Sequence, residues 1–305
     1  MASDEIKIVG FEKDLTLWVA ETKGFFVFQG LTASFDQTRN STEEISGLLD
    51  GKWDIAFDNG DNVIAWDEGQ GADREPHDLF IFLGGSQELT QGLYVTPDIK
   101  EVRGLRGKIL GVDAAATGYA VVLRYILQCH DLRDERDYSL EPVGSTRMRL
   151  SKLLEGKISG AMLNPRYVEE MNASSLRLLE QGKDYADPYP ARVGIATRSW
   201  AKAHSALLVR FIKANIIAGD WILNSENRGE ALELLTSGMG RASEQAEREY
   251  RRAVDPQNAF ARRAAFDSSS LKTVMDLRLK TGLIKPPAPP LDKYFDDSFY
   301  KKASS

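Results

Sequence analysis

Residues 111–127, GVDAAATGYAVVLRYIL, decide how this chain is read. Gly111-Val112 closes a run that starts at Lys108 and has the apolar character of a buried strand. Tyr119 onward places apolar side chains at helical spacing. Between the two, Asp113-Ala114-Ala115-Ala116-Thr117-Gly118 has almost no side-chain bulk. Two explanations compete: a helix packing closely on a sheet, or a ligand that must approach the backbone. A helix start leaves N–H groups unpaired and partly positive, which suits an anion. The stretch is not a nucleotide loop, because neither GxGxxG nor GxxxxGKS/T is present.

Working outward, short strand-like runs alternate with helical periodicity. Strands are predicted at Ile6–Gly10, Thr32–Gln37, Trp53–Phe57, Leu79–Gly84, Gly92–Val95, Lys108–Val112, Ser139–Pro142, Gly160–Leu163 and Val193–Thr197. Helices are predicted at Thr16–Thr22, Ser41–Leu49, Asp61–Gln70, Gly118–Cys129, Thr146–Leu154, Pro165–Met171 and Ser199–Asn224. The alternation specifies an α/β protein with largely parallel sheets. Residues 6–70 and 108–171 share one order of elements, as two similar lobes facing across a cleft would. From Ser199 the pattern is helical: Gly229–Ser237, Ser243–Val254 and Ser268–Thr281 follow, then a Pro-rich tail whose aromatics read as a clasp.

Composition bounds the function. At 305 residues the chain is longer than one core usually serves. A net charge of −6 without a Lys/Arg block argues against nucleic-acid or anionic-membrane binding. No apolar run approaches the roughly 18 residues of a membrane span. The start, MASDEIKIVGF, has no signal-peptide pattern, so either the protein is cytoplasmic or the chain begins where a leader has been removed. The single cysteine, Cys129, excludes an internal disulfide, and its spacing with Val122, Tyr125 and Ile126 places it in a core. The three histidines, His77, His130 and His204, fall outside the strand-to-helix loops, and no metal-ligand spacing occurs. Neither a cofactor nor a metal is expected.

Ligands of such sheets bind beyond the carboxyl ends of strands, so the loops there carry the candidates. After the first strand, Asp14 or Thr16 caps a helix while Glu12 and Lys13 remain free. After the second, Ser41 with Glu44 makes a capping box that leaves Arg39 unexplained. After the third, Asp61 can cap the next helix, with Asp58 and Asn59 spare. In the second half come Ala115, Thr117, Gly118 and Tyr119, then Ser145 and Arg147, then Asn164 ahead of Pro165.

Five segments in this order resemble the substrate-binding proteins of ABC importers of the nitrate/sulfonate/taurine group (SsuA/TauA, NMT1/THI5-like). They are GFEKDLTLWVAETKGFF, ISGLLDGKWDIAFDNGDNVIAWDEGQG, LRGKILGVDAAATGYAVVLRYIL, PVGSTRMRLSKLLEGKISGAMLNPRYVE and YPARVGIATRSWAKAH. The resemblance implies a two-lobed type II periplasmic-binding fold, each lobe a mixed sheet flanked by helices with the ligand cleft between. It implies lobe one at residues 1–93 and 195–305, lobe two at 94–194, and crossovers at Gly92–Thr96 and Arg192–Thr197. It further implies a small-molecule ligand held by residues matching Lys13, Asn59, Ala115, Thr117, Gly118, Ser145 and Asn164, capture by hinge closure, a permease partner, a monomer and a periplasmic location. On this reading Ala115–Gly118 cradles an anionic, sulfonate- or carboxylate-like end, beside Trp18, Phe57 or Tyr119. The acidity of Glu12, Asp14, Asp58 and Asp61 favours a second end bearing an amine or hydroxyl. Relatives on the same scaffold include a desulfinase and a thiamine-pyrimidine synthase, so an enzyme stays open, as does a cytosolic ligand sensor.

Overall fold

A computed structural model describes residues 4–116, 118–255 and 263–305. Two five-stranded sheets organise the chain. The first has the order β2-β1-β3-β10-β4, from Asp4–Gly10 (β1), Leu31–Gln37 (β2), Ile55–Asp58 (β3), Leu79–Leu83 (β4) and Val193–Thr197 (β10). The second has the order β7-β6-β8-β5-β9, from Gly92–Val95 (β5), Lys108–Val112 (β6), Tyr138–Pro142 (β7), Gly160–Leu163 (β8) and Arg177–Gln181 (β9). Both sheets are mixed. In each, three parallel strands are followed by one running the other way: β10 is antiparallel to β3 and β4, and β5 to β8 and β9. The fold is thus two-lobed, and the repeated element order seen in the sequence is a repeated sheet topology.

The chain passes between sheets through residues 84–91 and 182–192. The segments Gly92–Thr96 and Arg192–Thr197, expected as crossovers, are largely strands β5 and β10, because their apolar residues are buried within sheets. The sequence does not announce β9. Its sequence, RLLEQ, is an edge strand with partly exposed faces, so its pattern carries no alternation.

Helices fill the crossovers. Leu15–Thr22 (α1) is capped by Asp14, whose Oδ1 accepts from Leu17 N at 2.9 Å, which leaves Thr16 out of the capping. Phe25–Phe28 (α2) is a single turn. Ser41–Leu49 (α3) is capped by Asn40 rather than by the predicted Ser41 box: Asn40 Oδ1 accepts from Glu43 N at 2.8 Å, and Ser41 turns to Asp113. The starts of Asp61–Asp67 (α4) and Tyr119–Cys129 (α5) meet where Gly118 N donates to Asp61 Oδ2. Thr146–Leu154 (α6) and Pro165–Glu170 (α7) flank the second sheet. The predicted long helix 199–224 breaks at His204 into Arg198–Ala203 (α8) and Ser205–Leu223 (α9). Arg228–Glu233 (α10), Ser243–Ala253 (α11), Ser269–Lys280 (α12) and Ser298–Ser304 (α13) complete the chain.

One apolar cluster runs from Trp66 and Ile81 through Val274 and Leu277 of α12 to Val122 and Ile126 of α5, so α12 spans both sheets. A second covers the other face of the first sheet beneath α1 and α9. Burying each of these Leu, Ile or Val side chains contributes about 1.5–3 kcal/mol. The tail is the clasp expected: Tyr294 is fully buried and Phe295 bridges to Ile81. Cys129 is exposed, not packed in the core, because it falls on the solvent side of the last turn of α5.

Candidate functional site

A cavity of about 710 Å³ lies between the sheets, at the carboxyl ends of their parallel strands. The first lobe supplies Glu12 and Asp14 after β1, Arg39 after β2, and Phe57, Asp58 and Asn59 at the end of β3. The second supplies Asp113 after β6, Gly118 and Tyr119 at the start of α5, Ser145, Arg147 and Arg149 around the start of α6, and Asn164 and Arg166 after β8. Gln91 and Arg192 enter from the two crossovers. The rims touch. Ser145 N donates to Arg39 O at 3.0 Å, Ser41 N to Asp113 Oδ2 at 3.2 Å, and Arg166 Nη2 lies 2.8 Å from Glu12 Oε2.

Of the residues singled out from sequence, Glu12, Arg39, Asp58, Asn59, Gly118, Tyr119, Ser145, Arg147 and Asn164 line this cavity. Three do not. Lys13 turns outward to Glu21 and over the Trp18 ring, which removes Trp18 from the cavity as well. Ala115 is exposed, and its carbonyl accepts from Arg124. Asp61 is fully buried and forms an ion pair with Arg278 of α12. Thr117 lies outside the described residues.

The small-residue stretch is therefore explained differently from the anion cradle expected of it. A carboxylate does approach the backbone there, but it belongs to the protein. Gly118 N donates to Asp61 Oδ2 at 2.6 Å, and Arg278 Nη2 donates to Ala116 O at 3.1 Å. Gly118 has φ +57°, and a Cβ on it would stand 3.1 Å from Asn59 Nδ2. The positive φ favours glycine here, and the tight approach of Asn59 adds to that preference.

Internal pairing accounts for much of the charge. Arg192 Nη1 lies 2.6 Å from Asp14 Oδ2, Arg147 pairs with Glu170, and Arg241 pairs with both Glu12 and Glu249. Burial raises the Glu12 carboxyl, but Arg166 and Arg241 more than offset it and hold the group below its usual range. Among the described residues, two lining cations have no carboxylate within 4 Å: the exposed Arg39 and the buried Arg149. Arg149 is 3% exposed and donates only to neutral oxygens, those of Met162, Gly144 and Thr146. These contacts leave one N–H on its Nη1. Burial holds its pKa below the usual guanidinium value despite Asp113 and Tyr119 nearby.

On the acidic side, Asp58 accepts from Asn59 N, Asn59 Nδ2 and Asn62 Nδ2, and among the described residues it has no cation partner. Burial, with the neighbouring Asp113, pushes its carboxyl up to about 7. Glu44 lies fully buried with neither oxygen bonded among the described residues; burial first, then Asp58 and Asp113, raise it well above the carboxylate range. Sequence reading passed over Arg149, Arg166 and Arg192. Arg149 follows Ser145 by one helical turn, a signal that was available; Arg192, in a crossover, gave none.

The sheets, their order and the interlobe cavity define a type II periplasmic-binding fold. The profile of the NMT1-like family matches residues 12–236, and the chain belongs to that family. Among solved structures it is similar to the periplasmic nitrate-binding protein NrtA from Synechocystis PCC 6803, at 13% identity and TM-score 0.76, covering 99% of this chain and 88% of that one. It is also similar to the alkanesulfonate-binding protein SsuA from Xanthomonas axonopodis pv. citri bound to MOPS, at 15% identity and TM-score 0.72, covering 97% and 100%. The desulfurization enzyme DSZB matches at 16% identity and TM-score 0.63, covering 99% of each chain. No protein in the curated set matches significantly. Among the described residues, no helix is long and apolar enough to cross a membrane and no group of side chains is arranged to hold a metal ion.

Proposed function

We propose that the chain is a solute-binding protein that captures a small organic acid between its lobes and presents it, outside the cytoplasm, to an ABC importer. The observation that carries this reading is Arg149: a buried guanidinium on the wall of an interlobe cavity, in ion-pair contact with no carboxylate among the described residues. A buried charge is costly unless compensated, and an anionic solute end would supply the missing charge. The anion thus falls to Arg149, with Arg39 at the rim, and not to the start of α5. Lobe boundaries are proposed within residues 84–91 and 182–192, slightly ahead of the expected 93/94 and 194/195. The likeness to DSZB leaves an enzyme as the alternative. No Cys or His is among the described residues that line the cavity, which supports capture over chemistry.

A micromolar dissociation constant corresponds to about −8 kcal/mol. Charge-assisted hydrogen bonds of roughly 1.5–3 kcal/mol each, with burial against Phe57 and Tyr119, can supply it. The test is a thermal-shift screen over sulfonates, carboxylates, pyrimidines and nitrogenous acids, beside native mass spectrometry for a copurified solute. Ligand at about 100 times its Kd stabilises by about 2.7 kcal/mol. Arg149→Met is expected to weaken an anionic hit at least about tenfold, with Arg149→Lys in between. Undiminished affinity in both variants refutes the assignment.

A further inference from the structure

Three carboxyls act on one another where the lobes touch. Glu44 comes from the first turn of α3 and Asp58 from the end of β3, while Asp113 follows β6 of the second sheet. Asp113 reaches across the junction, and its Oδ2 accepts from both the backbone N and the hydroxyl of Ser41. Because Asn40 caps α3, Glu44 has no part in a capping box. It is fully buried, and among the described residues neither of its oxygens has a partner. Asp113 Oδ1 is likewise buried and unbonded. The surrounding charges do not neutralise the cluster. Glu44 feels Asp58, Asp113 and Glu43 of its own helix, against Arg192 of the crossover, which already pairs with Asp14. Asp58 faces Asp113 and the phenols of Tyr119 and Tyr189. Arg149 of α6 acts on Asp113, and the proposed acid would take up its charge.

A carboxyl in such surroundings neutralises itself by binding a proton. Asp58 has three donors that favour its ionised form, whereas Glu44 has none, so the proton falls first to Glu44. Parting the lobes would withdraw Asp113 and admit water to the junction, and both changes favour ionised carboxylates. We propose that the lobes close with uptake of a proton by this cluster, chiefly on Glu44, so that acidification shuts the cleft and capture tightens as pH falls. The inference rests on the proposed capture by lobe closure. No solute has to reach these oxygens, and open lobes admit the proton. The closed form binds more protons than the open one, so its share falls as pH rises, by up to about tenfold per pH unit for each proton taken up. For Asp58 the window runs from its ordinary 3.8 to about 7, and Glu44 is displaced in the same direction. The Glu12–Arg166 pair also joins the lobes and survives at pH 5, because Glu12 is held below its usual range.

The proton is the probe, so the test uses the whole chain without a solute, and its failure leaves the acid screen to judge capture. Nitroxide labels on the exposed Cys129, beside the second sheet, and on an exposed Ser225→Cys, beside the first, report the interlobe distance by double electron–electron resonance. From pH 8 to pH 5 the closed, short-distance population is expected to grow at least about tenfold relative to the open one. Glu44→Gln keeps the volume but cannot titrate, and it should weaken this response. Asp113→Asn, which removes the charge brought by the opposite lobe, should weaken it as well. A distance distribution that does not change with pH, one that lengthens on acidification, or an undiminished response in either variant overturns the inference. Asp113→Asn keeps the test standing if Glu44→Gln does not fold.

Discussion

Replacing Asp61 by Asn separates two roles for one carboxylate. As a ligand residue, its loss would weaken binding and leave the fold alone. In the structure it is a buried joint. Arg278 Nε and Nη2 lie 2.7 Å from its two oxygens, both side chains are excluded from solvent, and Gly118 N of the opposite lobe shares Oδ2. Asn keeps one acceptor but leaves the Arg278 charge facing only neutral oxygens of Gln70, Ala116 and the residue-61 carbonyl. Breaking a buried pair in this way costs about 3–5 kcal/mol, a large part of a stability of about 5–15 kcal/mol. Thermal melting should fall by roughly 5–15 °C. Arg278→Met alone should cost a similar amount. The double variant should lose less than the sum, since with both charges gone neither is left buried and unpaired. Calorimetry of the four proteins gives the coupling. An Asp61→Asn protein that melts like the wild type but binds its anion weakly would refute this assignment and return Asp61 to the ligand site.

Asp58, whose carboxyl is pushed up to about 7, holds a proton in the folded state that the unfolded chain has already released near its ordinary value. Folded protein therefore binds more protons between those two values, and stability falls as pH rises through that window. Asp58→Asn should match the wild type near pH 4 and exceed it at pH 8 in urea melts; an equal margin at both pH values would contradict the shift. Asn62 can turn its unbonded Oδ1 toward the new amide, so the substitution fits. Gly118→Ala should lose about 1–3 kcal/mol from forcing a side chain into a positive-φ conformation, read as a lower denaturation midpoint; an unchanged midpoint would show that the junction tolerates bulk.

Local sequence carried four strands and two helices to their ends. β5, β6, β8 and β10 and helices α3 and α6 have the predicted bounds, because apolar runs and turn residues there agree with burial. The same is true of the loops that reach the cavity, since strand ends locate them whatever their side chains do. Those side chains were harder to place. Asp61 and Arg278 are 217 residues apart, and nothing near either announces the other. Glu12 looked free at the cleft but is held by Arg166 and Arg241, each contributed by a distant helix or loop. Ser41 and Glu44 satisfied the spacing of a capping box while Asn40 did the capping. Charge partners are a tertiary property, and a linear reading assigns polar residues to a ligand when the protein itself has bound them.

The strand order also sets a schedule for synthesis. All five strands of the second sheet come from one continuous stretch, so it can close as soon as that stretch leaves the ribosome. The first sheet must wait: β3 and β4 are joined only by β10, which is made after the whole second sheet. Until then β3 and β4 each present an unpaired edge, the exposure most open to mispairing with another chain. The half that starts the protein is therefore the last to be finished, and its unfinished interval is where a chaperone would be needed most.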